Sequence, residues 1–322
     1  MSNFQKKIDL FLKKNKFKNY QIKPIKGDAS FRKYFRIILK NKTYILAYSN
    51  EEKKSNIYNY VLVSRFLKLN NFKAPKIICH NFNLGFALLE DLGKISFYQL
   101  IKNSSNKFAI YKKLINCLIQ LQKLKINNKL KIKYYNYSIL KKEIDLFFNW
   151  YLPYILKLKS NKSIIKIRKL LHEILKRNIS NDTFVHRDFH VSNLMSFNNK
   201  VGIIDSQDAL IGSKAYDLVS LIDDVRIRTT VSLKKKLFNY YLAKRSFASN
   251  ESIEKFRQEF AILSVQRAMK IIGIFSRLSK RDKKPKYLSL IPYTWSLLNK
   301  RLEDPIFDEI RNLLNKNVKP LI

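Results

Sequence analysis

The apolar pattern of this chain changes its period near residue 92, and that change limits the folds available to it. Between Ile22 and Leu92 the segments IKPIKGDASFRKYFRIIL, KTYILAYS, APKIICHN and GFALLEDLG have strand character, interrupted by a helical stretch from Glu51 to Leu69. From about Ser96 onward, apolar residues recur at intervals of three and four, as in LINCLIQLQKL and FAILSVQRAMKIIGIF. The pattern predicts an α+β protein with a small sheet-rich lobe over residues 1–92 and a larger, mostly helical lobe over residues 93–322.

Two local features add detail to this outline. VGII and NLMSF are the only evident strands of the helical part, and Asn198-Asn199 between them is suited to a hairpin turn. At the N-terminus, Phe4, Ile8 and Phe11 lie at helical spacing, which predicts a packed first helix rather than a membrane-surface anchor.

The formal charge of +40 raises the question of nucleic-acid binding. Lysines are spread along nearly the whole chain, and no block interleaves arginine with aromatic residues as base-reading surfaces do. The abundance of Lys, Asn, Ile, Phe and Tyr indicates codon drift toward AT. We therefore expect no specific nucleic-acid partner. With 46% hydrophobic residues in 322, the chain is long and apolar enough to bury a core.

The cysteines and the N-terminus bear on the cellular location. Cys79 and Cys117 are too few for a disulfide framework and lack metal-ligand spacing. Charges interrupt MSNFQKKIDLFLKK every few residues, and no apolar run approaches membrane-spanning length. These observations predict a cytoplasmic protein that does not enter the membrane.

Acidic residues concentrate in one segment of a chain that otherwise has few of them. Of 24 acids in all, seven are aspartates between Asp182 and Asp224, and no glutamate lies among them. This segment contains FVHRDFHVSNLM and VGIIDSQDA, with apolar runs on either side of the polar residues. Because Asp has a short stem and few rotamers, such a concentration indicates carboxylates that are held in place.

The spacing within this segment indicates phosphoryl-transfer chemistry. His186-Arg187-Asp188, four residues and then Asn193 fit the H-R-D-x-x-x-x-N catalytic loop of kinases, in which Asp accepts the substrate hydroxyl proton and Asn holds magnesium. Asp205 follows the apolar strand VGII, where a second magnesium ligand is needed. An amide and a carboxylate oxygen suit Mg²⁺ bound to nucleotide phosphates.

Simpler interpretations remain for individual residues. His186 and His190 are four apart, as in some zinc sites, but HRDFH lacks the Glu of HExxH and no third ligand is evident. Asp188 could cap a helix and Asp205 could serve a turn. The joint spacing favours the catalytic interpretation. For His186 we expect a structural role in the loop, while His190 is open to either role.

These blocks resemble the aminoglycoside phosphotransferase-type kinases, small-molecule kinases with a bilobal protein-kinase-like fold. GDASFRKYFRI, GFALLEDLG, FFNWYL, FVHRDFHVSNLM, IIDSQDALIGSKAYDLVSLIDD and QRAMKIIGIFSRLSKRDKKPKYL match through most of the chain. The first and last blocks are similar to the bacterial branch that phosphorylates the anomeric hydroxyl of N-acetylmuramate and N-acetylglucosamine in cell-wall recycling. The resemblance implies an ATP- and Mg²⁺-dependent sugar kinase.

The resemblance also implies roles for particular residues. Asp188 would be the catalytic base or hydroxyl-orienting group, Asn193 and Asp205 the magnesium ligands, and Asp217 a buried brace of the catalytic loop. The remaining cofactor-binding residues implied are Gly27, Asp28 and Ser30 in a turn over the phosphates, with Glu90 and Leu92 in the adenine-reading hinge.

The chain departs from the family pattern at three places. KTYILAYS has no lysine where these kinases place one for the α- and β-phosphates, since Ala47 or Tyr48 stands there. Three neighbours could substitute: Arg32, Lys33 and Lys42. Ser206 stands where an aromatic is usual, and Gly212-Ser213 where Gly-Pro is usual.

For the acceptor, the resemblance and residue polarity nominate Gln207, Asp208, Asp224 and Arg267. The alternative for Gln266-Arg267 is a solvated or capping pair on an apolar helix. A kinase of another small alcohol, such as choline or an aminoglycoside, is the rival of the same class. A non-catalytic basic pseudokinase, or an RNA-associated protein, is the rival of a different class. The sequence leaves the oligomeric state open.

Overall fold

The computed structural model describes residues 3–25, 32–50, 54–126 and 132–320. The strands are β1 (Gln21–Ile25), β2 (Lys33–Leu39), β3 (Lys42–Tyr48), β4 (Ile77–Asn81), β5 (Phe86–Glu90), β6 (Thr183–Val185), β7 (Leu194–Phe197), β8 (Lys200–Ile203) and β9 (Leu210–Gly212). The helices are α1 (Asn3–Lys14), α2 (Lys54–Leu69), α3 (Phe97–Asn103), α4 (Lys107–Leu121), α5 (Tyr137–Leu146), α6 (Leu152–Tyr154), α7 (Lys162–Arg177), α8 (Lys214–Ile222), α9 (Val231–Lys244), α10 (Asn250–Lys280), α11 (Ile291–Arg301) and α12 (Asp308–Asn317). A π-helical segment, Phe147–Tyr151, joins α5 to α6, and single 3₁₀ segments cover Val191–Asn193, Pro285–Leu290 and Pro305–Phe307.

The N-terminal strands form one antiparallel sheet in the order β1-β2-β3-β5-β4. Ile8 and Leu12 of α1 pack with Leu46 of β3 in one apolar cluster, while Tyr60 of α2 packs with Ala47 in another. Neighbouring residues of β3 enter different clusters because side chains alternate between the faces of a strand. The prediction of a packed first helix is confirmed.

β7 and β8 form a hairpin whose turn is Asn198-Asn199, as the sequence predicts. Both asparagines have positive φ, 46° and 58°, which two-residue turns matched to the twist of a hairpin require. Asn tolerates that conformation better than most residues. Backbone hydrogen bonds attach the hairpin to two loops that flank β4 and β5. The Ile203 N–H donates to the Lys73 carbonyl at 2.7 Å, and the Ser196 N–H donates to the Ile95 carbonyl at 2.9 Å.

The structure adds one strand pair that the sequence pattern did not reveal. β6 and β9 pair antiparallel, with Thr183 opposite Gly212. Each has only three residues, mostly buried, so neither is long enough to show an alternating pattern. This pair positions the loop that follows Val185.

The helical remainder is organised around α10, which is buried along most of its length. Gly273 lies where α10 meets the end of α5. A β-carbon built on Gly273 would be 2.3 Å from the backbone carbonyl carbon of Leu146, so only glycine permits this approach. A sheet-rich N-terminal region followed by a mostly helical one agrees with the predicted fold class.

The chain divides into two compact units. One holds the described residues between 3 and 104 together with 126 and Val191–Ala209, and the other holds Ser105–Lys125, Ile132–His190 and the chain from Leu210 onward. The first unit extends to 104 and also takes in the β7–β8 hairpin, and the lobe boundary at residue 92 stays a prediction. The hairpin joins that unit through its bonds to Lys73 and Ile95. Among the described helices, none is long and apolar enough to cross a membrane.

Candidate active site

The loop after β6 carries HRD, and a buried aspartate holds it. Asp217 of α8 accepts hydrogen bonds from the backbone N–H groups of His186 at 2.6 Å and Arg187 at 3.0 Å. Arg187 has a φ of 71°, a left-handed conformation that a non-glycine residue adopts only where its surroundings impose it. The structure thus agrees with the bracing role implied for Asp217. His186 Nδ1 accepts a hydrogen bond from the Asp188 backbone N–H at 3.3 Å, and the structural role expected for His186 stays a prediction.

Asp188, the candidate catalytic residue, keeps its negative charge. Burial alone would raise its pKa, but His190 and the cations Arg267, Lys270 and Arg187 hold the pKa of Asp188 well below its usual range. Because these three cations are charged throughout the neutral range, the Asp188 carboxylate is ionised there.

His190 is buried, and its backbone N–H donates to the carbonyl of Asp188 at 2.9 Å. Burial and the nearby Arg226 hold the pKa of His190 well below its usual range, although Asp188 opposes them. The imidazole is therefore neutral at pH 7.

Glu143 of α5 pairs with two of the cations near Asp188, Lys270 and Arg187, and the sequence analysis did not identify it. Its carboxylate binds Lys270 at 2.8 Å and Gln266 at 3.1 Å, and also contacts Arg187 and Tyr135. Burial would raise its pKa, but Lys270 and Arg187 lower the pKa of Glu143 to about 2. Glu143 is one of two acids in the stretch KKEIDLFFNW, and nothing local connects it to HRD.

Arg267 of α10 is buried, with only 4% of its surface exposed, so the solvated alternative for Gln266-Arg267 is wrong. Its guanidinium donates to the Arg187 carbonyl at 3.4 Å and lies 3.4 Å from the Tyr216 hydroxyl. The structure therefore brings Arg267 to the catalytic loop. Its contact with the acceptor stays a prediction.

Asp224, another acceptor candidate, is buried in the same unit. Its Oδ1 accepts from the Arg226 backbone N–H at 3.0 Å, and the Arg226 guanidinium is 3.6 Å away. Its Oδ2 has no hydrogen-bond partner among the described residues. A buried carboxylate oxygen in this state can accept a hydrogen bond from a substrate hydroxyl.

The proposed metal ligands belong to the other unit, at the open end of the β7–β8 hairpin. Leu194 of β7 is paired with Ile203 of β8, so Asn193 and Asp205 flank the paired strands. The Ile204 backbone N–H donates to the Asn193 carbonyl at 3.1 Å, which continues the ladder. The hairpin register therefore brings these two residues to the same end.

Asp205 is held by a cation just before β2 and by a hydroxyl of β2. The Arg32 guanidinium lies 3.0 Å from Asp205 Oδ1, and the Tyr34 hydroxyl donates to that oxygen at 3.1 Å. The backbone at Asp205 has a φ of 64°, again left-handed. Burial, then the negative charge of Asp205, raise the pKa of Tyr34 well above its usual value, so this hydroxyl keeps its proton.

Gln207 and Asp208 follow in the same unit. The Gln207 amide donates to Asp208 Oδ2 at 2.8 Å, and Gln207 is buried together with Ser206. Ser206 is therefore buried at the position where the resemblance implies an aromatic residue. At the other departure, Ser213 caps α8, because its hydroxyl accepts a hydrogen bond from the Ala215 N–H at 3.0 Å.

The predicted hinge is at the end of β5. Glu90 uses its side chain to bind Lys73 Nζ at 2.6 Å and the Lys76 N–H at 3.1 Å, and its own N–H donates to the Lys76 carbonyl at 2.8 Å. These groups of Glu90 already have protein partners. Leu92 is buried next to it, and adenine recognition at this segment stays a prediction.

Three predicted phosphate-binding residues, Gly27, Asp28 and Ser30, lie outside the described residues.

The donor set at Asp205 fits a magnesium ion. Among the described residues there is no group of three His, Cys, Asp or Glu that could hold a metal. Mg²⁺ in a nucleotide site requires less than that, because it takes one or two side-chain oxygens and completes its shell with phosphates and water. Asn193 and Asp205 supply oxygens of this kind, and Arg32 shows that the Asp205 carboxylate accepts a positive partner.

Comparison with known proteins identifies the family. The profile described as phosphotransferase enzyme family matches residues 21–255. The chain belongs to this family. This phosphotransferase is 30% identical over 274 residues to N-acetylmuramate/N-acetylglucosamine kinase of Pseudomonas aeruginosa, covering 84% of this chain and 80% of the relative. It is also 30% identical over 275 residues to the Neisseria meningitidis protein of the same name, covering 83% and 81%.

Solved structures agree with the kinase-like fold. An aminoglycoside phosphotransferase in a gentamicin complex superposes with a TM-score of 0.66 at 16% identity, over 97% of this phosphotransferase and 99% of that chain. A choline kinase from Streptococcus pneumoniae superposes with a TM-score of 0.66 at 13% identity, over 93% and 100%. At such identities these similarities establish the fold alone.

Proposed function

We propose that this protein phosphorylates the anomeric hydroxyl of N-acetylmuramate and N-acetylglucosamine, with ATP as donor and Mg²⁺ as metal, in the cytoplasm where ATP is available. The observation that carries the chemistry is the half-buried, ionised Asp188 in a loop braced by Asp217. The similarity to two curated kinases over more than four fifths of the chain supports the amino sugar as acceptor.

Asp188 would orient the acceptor hydroxyl and receive its proton. Because its pKa is held low, Asp188 is a weak base, and the proton would move late, as the oxygen bonds to the γ-phosphorus and the bond from that phosphorus to the ADP oxygen breaks. An anomeric hydroxyl is more acidic than an ordinary alcohol, which suits a weak base. The product would be a sugar 1-phosphate.

Asn193 and Asp205 would hold Mg²⁺, which neutralises charge on the phosphates when it is bound. Leu92, with the backbone of its segment, would contact adenine, and Gly27, Asp28 and Ser30 would cover the phosphates. Gln207, Asp208, Asp224 and Arg267 remain the proposed sugar contacts. Asp224 Oδ2 is the oxygen most suited to a sugar hydroxyl, since it is buried without a partner among the described residues.

The charges around Asp188 favour a neutral or anionic acceptor over a cationic one. Glu143 is matched by Lys270 and Arg187, and Asp224 is next to Arg226. A cationic aminoglycoside or choline requires carboxylates that are not already compensated. N-acetyl sugars need hydroxyl and amide partners instead.

The test is to incubate the protein with ATP, Mg²⁺ and single acceptors, following ADP release and assigning the product by ³¹P NMR. The panel is N-acetylmuramate, N-acetylglucosamine, glucosamine, choline and an aminoglycoside. We expect a 1-phosphate of the N-acetyl sugars, and a loss in kcat of about 10²-fold or more in Asp188→Asn. Asp182→Asn, which changes an exposed acid of the same segment, is the matched control and should keep full activity.

Phosphorylation of choline or the aminoglycoside in place of the sugars would contradict the proposed acceptor. ATP binding with no turnover on any acceptor would favour the pseudokinase alternative. Full activity in Asp188→Asn would refute the proposed chemistry itself.

A further inference from the structure

Strand β3 does not carry the cation that ATP phosphates require in a kinase of this kind. Its only lysine, Lys42, is exposed at the start of the strand, paired with Leu39. Further along, Ala47 is buried and is paired with Tyr34 of β2. Directly opposed residues of an antiparallel pair have side chains on the same face. Tyr34 therefore shares the face on which a lysine at residue 47 would lie.

Arg32 places a cation on that face. It comes two residues before Tyr34, and both side chains reach the same oxygen, Asp205 Oδ1, at 3.0 and 3.1 Å. The Arg32 side chain is only 8% exposed. Lys33 is different, because it is exposed and its Nζ lies 5.2 Å from the centre of the Phe4 ring. Of the three candidate substitutes, Arg32 alone contacts a proposed metal ligand among the described residues.

The counter-charge of Arg32 is Asp205 and not an acid of α2. Residues 54–69, which form α2, include no Asp or Glu, so this part of the helix offers no acid to pair with a strand cation. α2 contributes Tyr60 instead, which is buried near Asp205. A guanidinium is charged at any physiological pH, and Asp205, 3.0 Å away, supplies its counter-charge.

We propose that Arg32 grips the phosphates of ATP in place of the missing strand lysine, and that its ion pair with Asp205 orients the guanidinium for this contact. The inference rests on the proposed use of ATP and on Asp205 as a metal ligand. A guanidinium has five N–H donors in a rigid fork, so it can bind a carboxylate and a phosphate oxygen at once.

The test measures nucleotide binding by calorimetry in the presence of EDTA, so that no metal contributes. Wild type, Arg32→Met and Arg32→Gln are titrated with ATP, ADP and adenosine. We expect both variants to bind ATP and ADP about tenfold more weakly or worse, because charge-assisted hydrogen bonds to the phosphates are lost. Adenosine affinity should change less than twofold, which also shows that the variants are folded.

Lys33→Met is the matched control. It removes the same charge from the adjacent residue, and we expect its ATP affinity to stay within twofold of wild type. If Arg32→Met loses adenosine binding as well, Arg32→Gln decides the question, since its amide can still bind Asp205.

Unchanged ATP affinity in Arg32→Gln would overturn the inference. So would an equal loss in Lys33→Met, which would indicate only a general effect of charge. If the metal-free affinity is unchanged but the gain in affinity on adding Mg²⁺ disappears, Arg32 acts only by positioning Asp205, and the phosphate grip is refuted. No sugar is present, so these results are independent of whether the proposed acceptor is correct.

Discussion

Asp217 Oδ2 lies 2.6 Å from the backbone nitrogen of His186, inside the buried base of the catalytic loop. Its second oxygen accepts from the next N–H of the chain, that of Arg187, at 3.0 Å. One side chain from α8 thus holds two consecutive peptide groups immediately before Asp188. The position of the candidate catalytic carboxylate therefore depends on a residue that need not touch the substrate.

We predict that Asp217→Asn lowers kcat at least tenfold and destabilises the protein by about 2–4 kcal/mol. The amide can accept through one atom only, so at least one of the two N–H groups loses its partner. Steady-state kinetics and urea unfolding measure the two effects, with Asp182→Asn as control. An unchanged kcat would show that the loop keeps its shape without this brace.

The pH dependence of activity tests the same residue. Burial raises the pKa of Asp217 to about 7, while the two backbone N–H groups oppose that rise. Since the ionised carboxylate is the stronger acceptor, we expect kcat to increase as pH rises through about 7. In Asp217→Asn this step should be absent. A step of the same size in the variant would assign it to another group.

Glu143 should make the protein sensitive to acid. Its pKa is about 2 in the folded state, against about 4.3 when unfolded, so its contribution to stability is present above about 4.3 and is lost as pH falls through about 2. The shift corresponds to about 3 kcal/mol. Urea unfolding at several pH values between 7 and 2 should show this loss in wild type, and a smaller loss in Glu143→Gln. Equal pH dependence in both proteins would contradict the prediction.

The largely buried pair Glu143 and Lys270 should be strongly coupled. Removing Glu143 alone leaves Lys270 buried with an uncompensated charge, which typically costs about 3–5 kcal/mol. We expect Glu143→Gln with Lys270→Met to be at least 1 kcal/mol more stable than the sum of the single changes predicts. The exposed pair Glu251 and Lys255, at 2.6 Å, is the control and should couple by less than about 0.5 kcal/mol. Similar coupling in both pairs would mean that burial does not strengthen the first.

Gly273→Ala should destabilise the protein even though alanine favours helices by about 1 kcal/mol. The new methyl group would meet the Leu146 backbone, so α10 and α5 must separate. We expect a net loss of about 1–3 kcal/mol in urea unfolding. Gln258→Ala, at an exposed position of α10, should stay within about 0.5 kcal/mol of wild type. A gain in stability for Gly273→Ala would show that the helices have room for the methyl group.

Several elements of the fold and site could be predicted because their signals are local. The alternation in KTYILAYS and the three- and four-residue spacing in α10 follow from the geometry of strands and helices. The turn between β7 and β8 could be predicted from the two residue types at Asn198-Asn199 alone. The spacing of Asp188, Asn193 and Asp205 indicated phosphoryl transfer. In contrast, β6 and β9 are too short for any period to appear.

The sequence was sufficient for the fold class and nominated the segment proposed to carry the chemistry, because each depends on residues close together in the chain. Only the tertiary structure could decide which charges meet. Glu143 binds Lys270 across 127 positions and Arg187 across 44, and Arg32, just before β2, reaches Asp205 beyond the end of β8. In a chain with 64 lysines and arginines, no local pattern singles out these partners. Packing selects them, since a charge can be buried only where the fold brings an opposite charge to it.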